Sequence, residues 1–122
     1  MSDKKIILPH NHSERDNILV EEIPSLETIR NVADAMKQLG NPSRLRIFWL
    51  LCHCEECVIN IAAATGMSSP AVSHHLKLLK SAGLVISGRH GKEMYYRAAD
   101  TDIVLKLHHT IEEIARISCP EN

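Results

Sequence analysis

The sequence has few aromatic residues, few glycines and no long hydrophobic run. Aromatics make up 3% of the 122 residues, with one Phe, one Trp and two Tyr. A core with so few aromatic side chains must be built mainly from Leu, Ile, Val and Ala, a composition that favours helices. No apolar run approaches the roughly 20 residues of a membrane-spanning helix. With 44% hydrophobic and 24% charged residues, the chain is apolar enough to fold as one compact domain.

Signatures of secretion and of catalysis are also missing. The start, MSDKKIILPHNHSERD, has a very short apolar stretch followed by histidines and acidic residues, so no signal peptide is expected and the cytoplasm is the default location. There is no HExxH, no nucleophile elbow and no glycine-rich phosphate loop, and the chain has only five glycines. We therefore do not expect an enzyme.

The formal net charge is only −1, but the charge is unevenly distributed along the chain. Residues 68–98 contain five basic residues and one acidic residue, a local net charge of +4, whereas residues 1–30 carry −2 and residues 99–122 carry −3. A single basic stretch in a near-neutral chain predicts a surface there that binds a polyanion.

Cap and stop residues divide the chain into an arm and a domain. Residues 1–24 show no sustained periodicity and contain Pro9 and Pro24, which predicts a flexible N-terminal arm. Residues 25–122 predict five helices, which begin near Ser25, Asn41-Pro42, Cys57, Ser69 and Asp100 or Thr101. Before the last helix, LVISG and KEMYYRAA predict a hairpin with a basic tip. This order predicts a mainly α protein, a winged helix-turn-helix whose extra N- and C-terminal helices form a dimer interface.

The helix that begins near Ser69 has two chemically different sides. Three apolar residues, Val72, Leu76 and Leu79, fall on one side of a helical wheel. The opposite side carries Ser69, Ser73, His74, Lys77 and Lys80. Hydroxyls and an imidazole suit base edges, whereas lysines, with Arg89 and Lys92 on the hairpin, suit phosphates. The alternative is an ordinary amphipathic helix with a solvated face, and His75, at the edge of the apolar side, suits either packing or DNA contact.

Three stretches resemble the ArsR/SmtB family of bacterial repressors: NPSRLR, AVSHHLKLLKSAGLV and GKEMYY. The resemblance covers roughly residues 25–117. It implies a homodimeric winged helix that binds double-stranded operator DNA, an inverted repeat, when free of ligand and releases it on binding a metal ion. It also implies that Ser73 and His74 are the pair that contacts bases.

Four cysteines and eight histidines are many for a chain of this length. Thiolates and imidazoles are the ligands preferred by zinc, cadmium or lead, with cuprous copper and arsenite as further options. Cys54 and Cys57 have chelate spacing, and Cys57 matches the first cysteine of the family's Cys-x-Cys motif, although Ile59 replaces the second. The resemblance implies that arm residues, here His10 and His12, complete such a site.

The resemblance also implies a metal site on the last helix, but here both of its histidines are missing and Arg116 occupies one of the positions. We therefore expect that site to be lost. Its weaker replacement is a displaced site with His108, Glu112 and Cys119 on one flank, and Cys52 is a further weaker candidate. His109 is interpreted as part of a solvated polar face.

Two other interpretations of the cysteines, and one of the whole protein, remain open. A free cysteine such as Cys52, within RIFWLLC, is often a small buried hydrophobe. Two thiols within reach of each other could instead sense oxidants or sulfide species by forming a disulfide or polysulfide bridge. The alternative from another class is a protein-interaction module with a structural metal site. Glu55 and Glu56 favour a cation, because negative charge raises the pKa of nearby thiols and slows their oxidation.

Overall fold

A computed structural model describes residues 6–10 and 12–120, which fall into two compact units, Met1–Val32 and Ala33–Asn122. The boundary lies within helix α2 (Leu26–Leu39). None of the helices in the described ranges is long and apolar enough to cross a membrane.

The first unit contains helix α1 (Glu14–Glu21) and the first part of α2. Ser13 starts α1, because its hydroxyl accepts a hydrogen bond from the backbone N–H of Asp16 at 3.2 Å. The sequence predicted a flexible arm over residues 1–24 and no helix there, whereas eight of these residues are helical. A capping serine and acidic residues in the first turn favour a helix without any apolar periodicity, so the sequence pattern did not reveal it. None of the residues of α1 is buried.

The second unit contains four more helices and a small sheet. The helices are α3 (Pro42–His53), α4 (Val58–Thr65), α5 (Ser69–Ser81) and α6 (Asp102–Ala115). The strands are β1 (Glu56–Cys57), β2 (Val85–His90) and β3 (Glu93–Ala98). The predicted winged helix-turn-helix is confirmed, with α4 and α5 as the two-helix motif and β2–β3 as the wing.

The sheet is antiparallel with the order β1-β3-β2. The hairpin runs in register from Val85 opposite Ala98 to His90 opposite Glu93, and Gly91 occupies the turn with a φ of 65°. Strand β1 was not predicted. It is only two residues long, too short to show alternation, and Cys57 pairs with Tyr95 instead of opening the next helix, which it precedes as N-cap.

The caps lie close to their predicted places. Asn41 accepts a hydrogen bond from the backbone of Arg44 at 3.0 Å, and Thr101 accepts one from Val104 at 3.3 Å. For α5 the prediction is wrong by one residue, because Ser68 is the cap and Ser69 is the first helical residue. The fully buried side chains are aliphatic apart from Phe48, as the composition predicted: Ile47, Ile61, Val72, Leu76, Leu79, Leu84 and Val85.

Candidate nucleic-acid interface and metal centre

Helix α5 presents one buried face and one exposed face. Val72, Leu76 and Leu79 are at most 1% exposed and belong to the core. All five side chains predicted to face DNA are exposed: Ser69, Ser73, His74, Lys77 and Lys80. Burial of the apolar side fixes the rotation of the helix, so the polar side is available to a partner.

His75 is half-buried and its Nδ1 atom accepts a hydrogen bond from Nε of Arg44 at 3.2 Å. Arg44 also donates to the side chain of Gln38 at 2.7 Å. Burial of the ring, and then the charge of Arg44, lower the pKa of His75, which keeps Nδ1 unprotonated and able to accept. His75 therefore has a packing role between α5 and α3.

The charge of the wing is concentrated at its tip. Arg89 and Lys92 are exposed on either side of the turn at Gly91. Arg97, at the far end of β3, is instead paired with Glu55 and Asp100. Its charge is therefore balanced locally and contributes little to an anion-binding surface.

Four cations on α5 and the wing lack acidic partners: Lys77, Lys80, Arg89 and Lys92 do not occur in any ion pair between described residues. Lys80 donates a hydrogen bond to the hydroxyl of Ser87 at 2.7 Å, which joins the end of α5 to β2. A basic surface thus extends from the exposed face of α5 to the tip of the wing.

A second group of functional side chains gathers where the end of α3 meets α6. The groups are His53, His108, Glu112 and Cys119, and one ligand atom from each lies within 4.8 Å of all the others. The Nε2 atoms of the two histidines are 3.0 Å apart, and each faces the Glu112 carboxylate, at 3.5 Å from His53 and 3.1 Å from His108. Among the described residues this is the set of potential metal ligands that the fold brings together.

The turn at the end of α6 brings Cys119 into this group. Arg116 ends the helix in the left-handed conformation, with a φ of 56°, and the next N–H, of Ile117, donates to the carbonyl of Glu112 at 3.0 Å. The chain then folds back so that Sγ of Cys119 donates to Glu112 at 2.9 Å and lies 3.7 Å from Nε2 of His108.

Trp49 supports the cluster from α3. Its indole N–H donates to Glu112 at 3.3 Å, and its ring centroid lies 4.3 Å from that of His53. The hydrogen bond from Cys119, with the neighbouring His108, lowers the pKa of the Glu112 carboxyl. The same hydrogen bond raises the pKa of the Cys119 thiol. These contacts favour the ionised form of the Glu112 carboxyl although it is only 7% exposed.

Some of the predicted metal ligands lie in this cluster and others lie outside it. The described cluster includes His108 and Cys119, the weaker candidates, but not Cys54 or Cys57. Cys54 ends α3 and its thiol donates to the carbonyl of Leu50 at 3.4 Å, while Cys57 is buried in β1. His10 and His12 belong to the first unit, where their rings stack with centroids 6.0 Å apart.

His53 was not predicted as a ligand, since nothing in the sequence of α3 places it beside α6.

Cys52, its neighbour, packs against the core, and burial, Glu112 and Cys119 together raise the pKa of its thiol to about 12. Burial and then Glu56 also raise the pKa of Cys54. A raised pKa lowers the fraction of Cys52 and Cys54 present as thiolate, which slows oxidation of these two thiols.

The apolar face of α6 is shared between the core and the surface. Val104 is 3% exposed, whereas Ile103 is 56% and Ile114 is 79% exposed. Leu107 and Ile111 are partly buried against the core. The core therefore covers most of the apolar face of α6, and its edge with Ile103 and Ile114 is uncovered in one subunit.

A winged helix-turn-helix with a basic surface on its second helix and wing is typical of DNA-binding transcriptional regulators. Residues 41–87 match the family model of the bacterial regulatory proteins of the arsR family. The chain is 38% identical over 96 residues to the transcriptional repressor SmtB homolog of Synechocystis sp., covering 79% of this chain and 73% of that protein. It is 35% identical over 86 residues to the cadmium resistance transcriptional regulatory protein CadC of Listeria innocua, covering 70% and 71%.

A solved structure supports the same fold and the same family. The homodimeric winged helix-turn-helix DNA-binding domain Mb0332 of Mycobacterium bovis, described as a possible ArsR-family regulator, matches with a TM-score of 0.64 and 36% identity. The match covers 87% of this chain and 89% of that one. The protein described here belongs to the ArsR/SmtB family of transcriptional regulators, as its motifs predicted, and is not an enzyme.

Proposed function

We propose that this protein is a homodimeric repressor in the bacterial cytoplasm that binds an inverted-repeat operator and releases it when a thiophilic metal ion binds. The observation that carries the DNA-binding part is the basic surface itself. It combines an exposed polar face on a helix whose other face is fixed in the core with unpaired cations on the wing.

Each part of this surface has a separate role in the proposal. Ser73 and His74, with Ser69, contact base edges in the major groove, because hydroxyls and imidazoles can both donate and accept hydrogen bonds. Lys77 and Lys80 contact phosphates. Arg89 and Lys92 reach the neighbouring backbone or minor groove.

A dimer would cover the uncovered edge of α6. Ile103 and Ile114 are large, apolar and more than half exposed, and removing them from water favours association. The homodimeric Mycobacterium bovis domain supports association into a dimer. Two recognition helices related by a twofold axis require an inverted repeat with half-sites about one helical turn, or a multiple of it, apart.

A metal effector is supported by the chemistry of the chain and by the cadmium resistance regulator among its relatives. Two candidate ligand sets are available. One is the pair Cys54 and Cys57 with His10 and His12, which the sequence motif supports. The other is the cluster between α3 and α6. Effector and operator then prefer different placements of the two subunits, so each weakens the binding of the other.

Fluorescence anisotropy with the promoter DNA upstream of the protein's own gene tests the DNA-binding part. The metal-free protein should prefer this DNA to random DNA, and its affinity should fall by orders of magnitude between roughly 50 and 200 mM salt. Lys106→Ala is the matched control, because Lys106 is exposed on α6 and paired with Asp102 away from the basic surface. Equal, salt-insensitive binding to both DNAs would instead support a protein-interaction module.

A further inference from the structure

We infer that His53, His108, Glu112 and Cys119 form a zinc site within a single subunit, between the end of α3, α6 and the segment that follows α6. This inference rests on the proposed function and specifies where its effector binds. It differs from the motif-based site, because it uses neither the Cys54–Cys57 pair nor the arm.

The separations between the ligand atoms agree with tetrahedral coordination. Atoms bound about 2.0–2.3 Å from a tetrahedral zinc ion lie about 3.3–3.8 Å from one another. Five separations in the cluster run from 2.9 to 3.7 Å: His53–His108, Cys119–His108, His108 and Cys119 to Oε1 of Glu112, and His53 to Oε2 of Glu112. Three of these separations are shorter than the tetrahedral range and two lie within it, so the ligand atoms would move apart by a few tenths of an ångström when the ion binds.

The types of ligand favour zinc over softer ions. Two imidazoles, one thiolate and one carboxylate form a set that suits zinc, whereas cadmium, lead and arsenite prefer several thiolates. The thiolate of Cys119 and the carboxylate of Glu112 together carry two negative charges, which a divalent ion neutralises. The salt-bridge partners of Glu112 among the described residues are only the two histidines, so no lysine or arginine competes with the ion.

The surroundings of the cluster also suit a binding site. His108 and Glu112 are 9% and 7% exposed, so two of the ligands are held in place by packing. Trp49 donates a hydrogen bond to Oε2 of Glu112, the oxygen that faces His53, and its ring lies against that of His53. Cys119 is exposed, which leaves a path by which the ion enters and the thiol proton leaves.

The position of the cluster links it to regulation. Zinc would join the end of α3 to α6 and to the chain after it, in place of hydrogen bonds. Because α6 carries the proposed dimer surface at Ile103 and Ile114, a small shift of this helix changes how the two subunits, and hence the two α5 helices, are placed. This gives the ion an effect on operator binding without any contact with DNA.

Cobalt(II) substitution and zinc competition with a chelator test the site in the full chain. Tetrahedral cobalt gives intense visible ligand-field bands, and a bound thiolate adds a near-ultraviolet charge-transfer band. We expect both in the wild type. In Cys119→Ser the charge-transfer band should disappear. In both His53→Gln and Cys119→Ser, zinc affinity should fall by more than about 100-fold. Loss of a hydrogen-bond partner that does not itself bind the metal would cost only about 10–100-fold.

Two controls separate this site from its neighbours. His109→Gln changes the exposed histidine next to His108 and should leave both cobalt bands and zinc affinity unchanged. The double variant Cys54→Ser, Cys57→Ser should also retain the charge-transfer band. Cys119 lies on an exposed segment, so its variant should fold as the wild type does, which circular dichroism checks.

The outcomes distinguish the site from the proposed function. Loss of the cobalt bands in the Cys54/Cys57 variant, with their retention in Cys119→Ser, overturns the site and leaves metal-dependent repression in place. If the cobalt bands depend on His53 and Cys119 but zinc does not change the operator affinity of the protein, the site is supported. Release of the operator by metal is then contradicted. No tetrahedral cobalt spectrum in the wild type overturns the site.

Discussion

At the scale of single residues, specificity and affinity for DNA are assigned to different side chains on the same helix face. Ser73 and His74 are exposed on α5 and can exchange hydrogen bonds with base edges, whereas Lys77 offers only a positive charge. His75, beside them in sequence, is half-buried and accepts a hydrogen bond from Arg44, so its ring packs between α5 and α3.

Alanine substitutions should separate these roles. Ser73→Ala and His74→Ala should weaken operator binding and reduce the preference over random DNA, because each removes a base contact. Lys77→Ala should weaken binding to all sequences alike and flatten the slope of log affinity against log salt by about one unit. Anisotropy titrations on both DNAs measure this. An equal loss on both DNAs for Ser73→Ala would show that the recognition face is wrongly assigned.

Arg116 is a second residue with a distinct conformational role. Its φ of 56° is in the left-handed region, which costs an L-residue roughly 1–2 kcal/mol relative to glycine. Arg116→Gly should therefore stabilise the protein against urea by up to about 1 kcal/mol. Ala115→Gly, one residue earlier and inside α6, should destabilise it by about 0.5–1 kcal/mol. If both glycines destabilise alike, the turn after α6 does not require the left-handed conformation.

At the scale of elements, caps set the position of the recognition helix. Ser68 accepts a hydrogen bond from the backbone N–H of Ala71 at 3.3 Å, and Pro70 occupies the first turn. Ser68→Ala should lower the free energy of unfolding by about 1 kcal/mol, whereas Ser69→Ala should leave it nearly unchanged. Urea denaturation compares the two. The reverse ranking would return the cap to Ser69, where the sequence alone placed it.

The proposed dimer surface lies on the uncovered edge of α6. Ile114→Glu places a charge on its uncovered edge, so the subunit should fold but become monomeric, with a collapse in operator affinity. His109→Glu, on another side of the helix, is the control and should remain dimeric. Light scattering after size exclusion measures the mass. A dimeric Ile114→Glu protein would move the interface elsewhere.

Local signals predicted most elements, and tertiary contacts account for what was missed. Caps such as Asn41 and Thr101 act within one turn, so the sequence places α3 and α6 well. Strand β1 depends on pairing with β3 across almost forty residues, from Cys57 to Tyr95. His53 likewise joins His108 only through the packing of α3 and α6, which no spacing within either helix reveals.

At the scale of the whole molecule, the proposed mechanism couples two binding sites thermodynamically. The basic surface of α5 and the wing would hold the operator, and the cluster at the end of α3 would hold the effector. A coupling free energy of about 1–3 kcal/mol between them corresponds to a change in operator affinity of roughly 5–150-fold. By reciprocity, operator DNA must weaken metal binding by the same factor.

The most direct test is the operator affinity of the wild-type dimer at one fixed salt concentration, first metal-free with a chelator and then with zinc at saturation. The account predicts that zinc weakens specific binding by roughly 5–150-fold while the protein remains dimeric. An operator affinity that is unchanged, or increased, when zinc is demonstrably bound would contradict it.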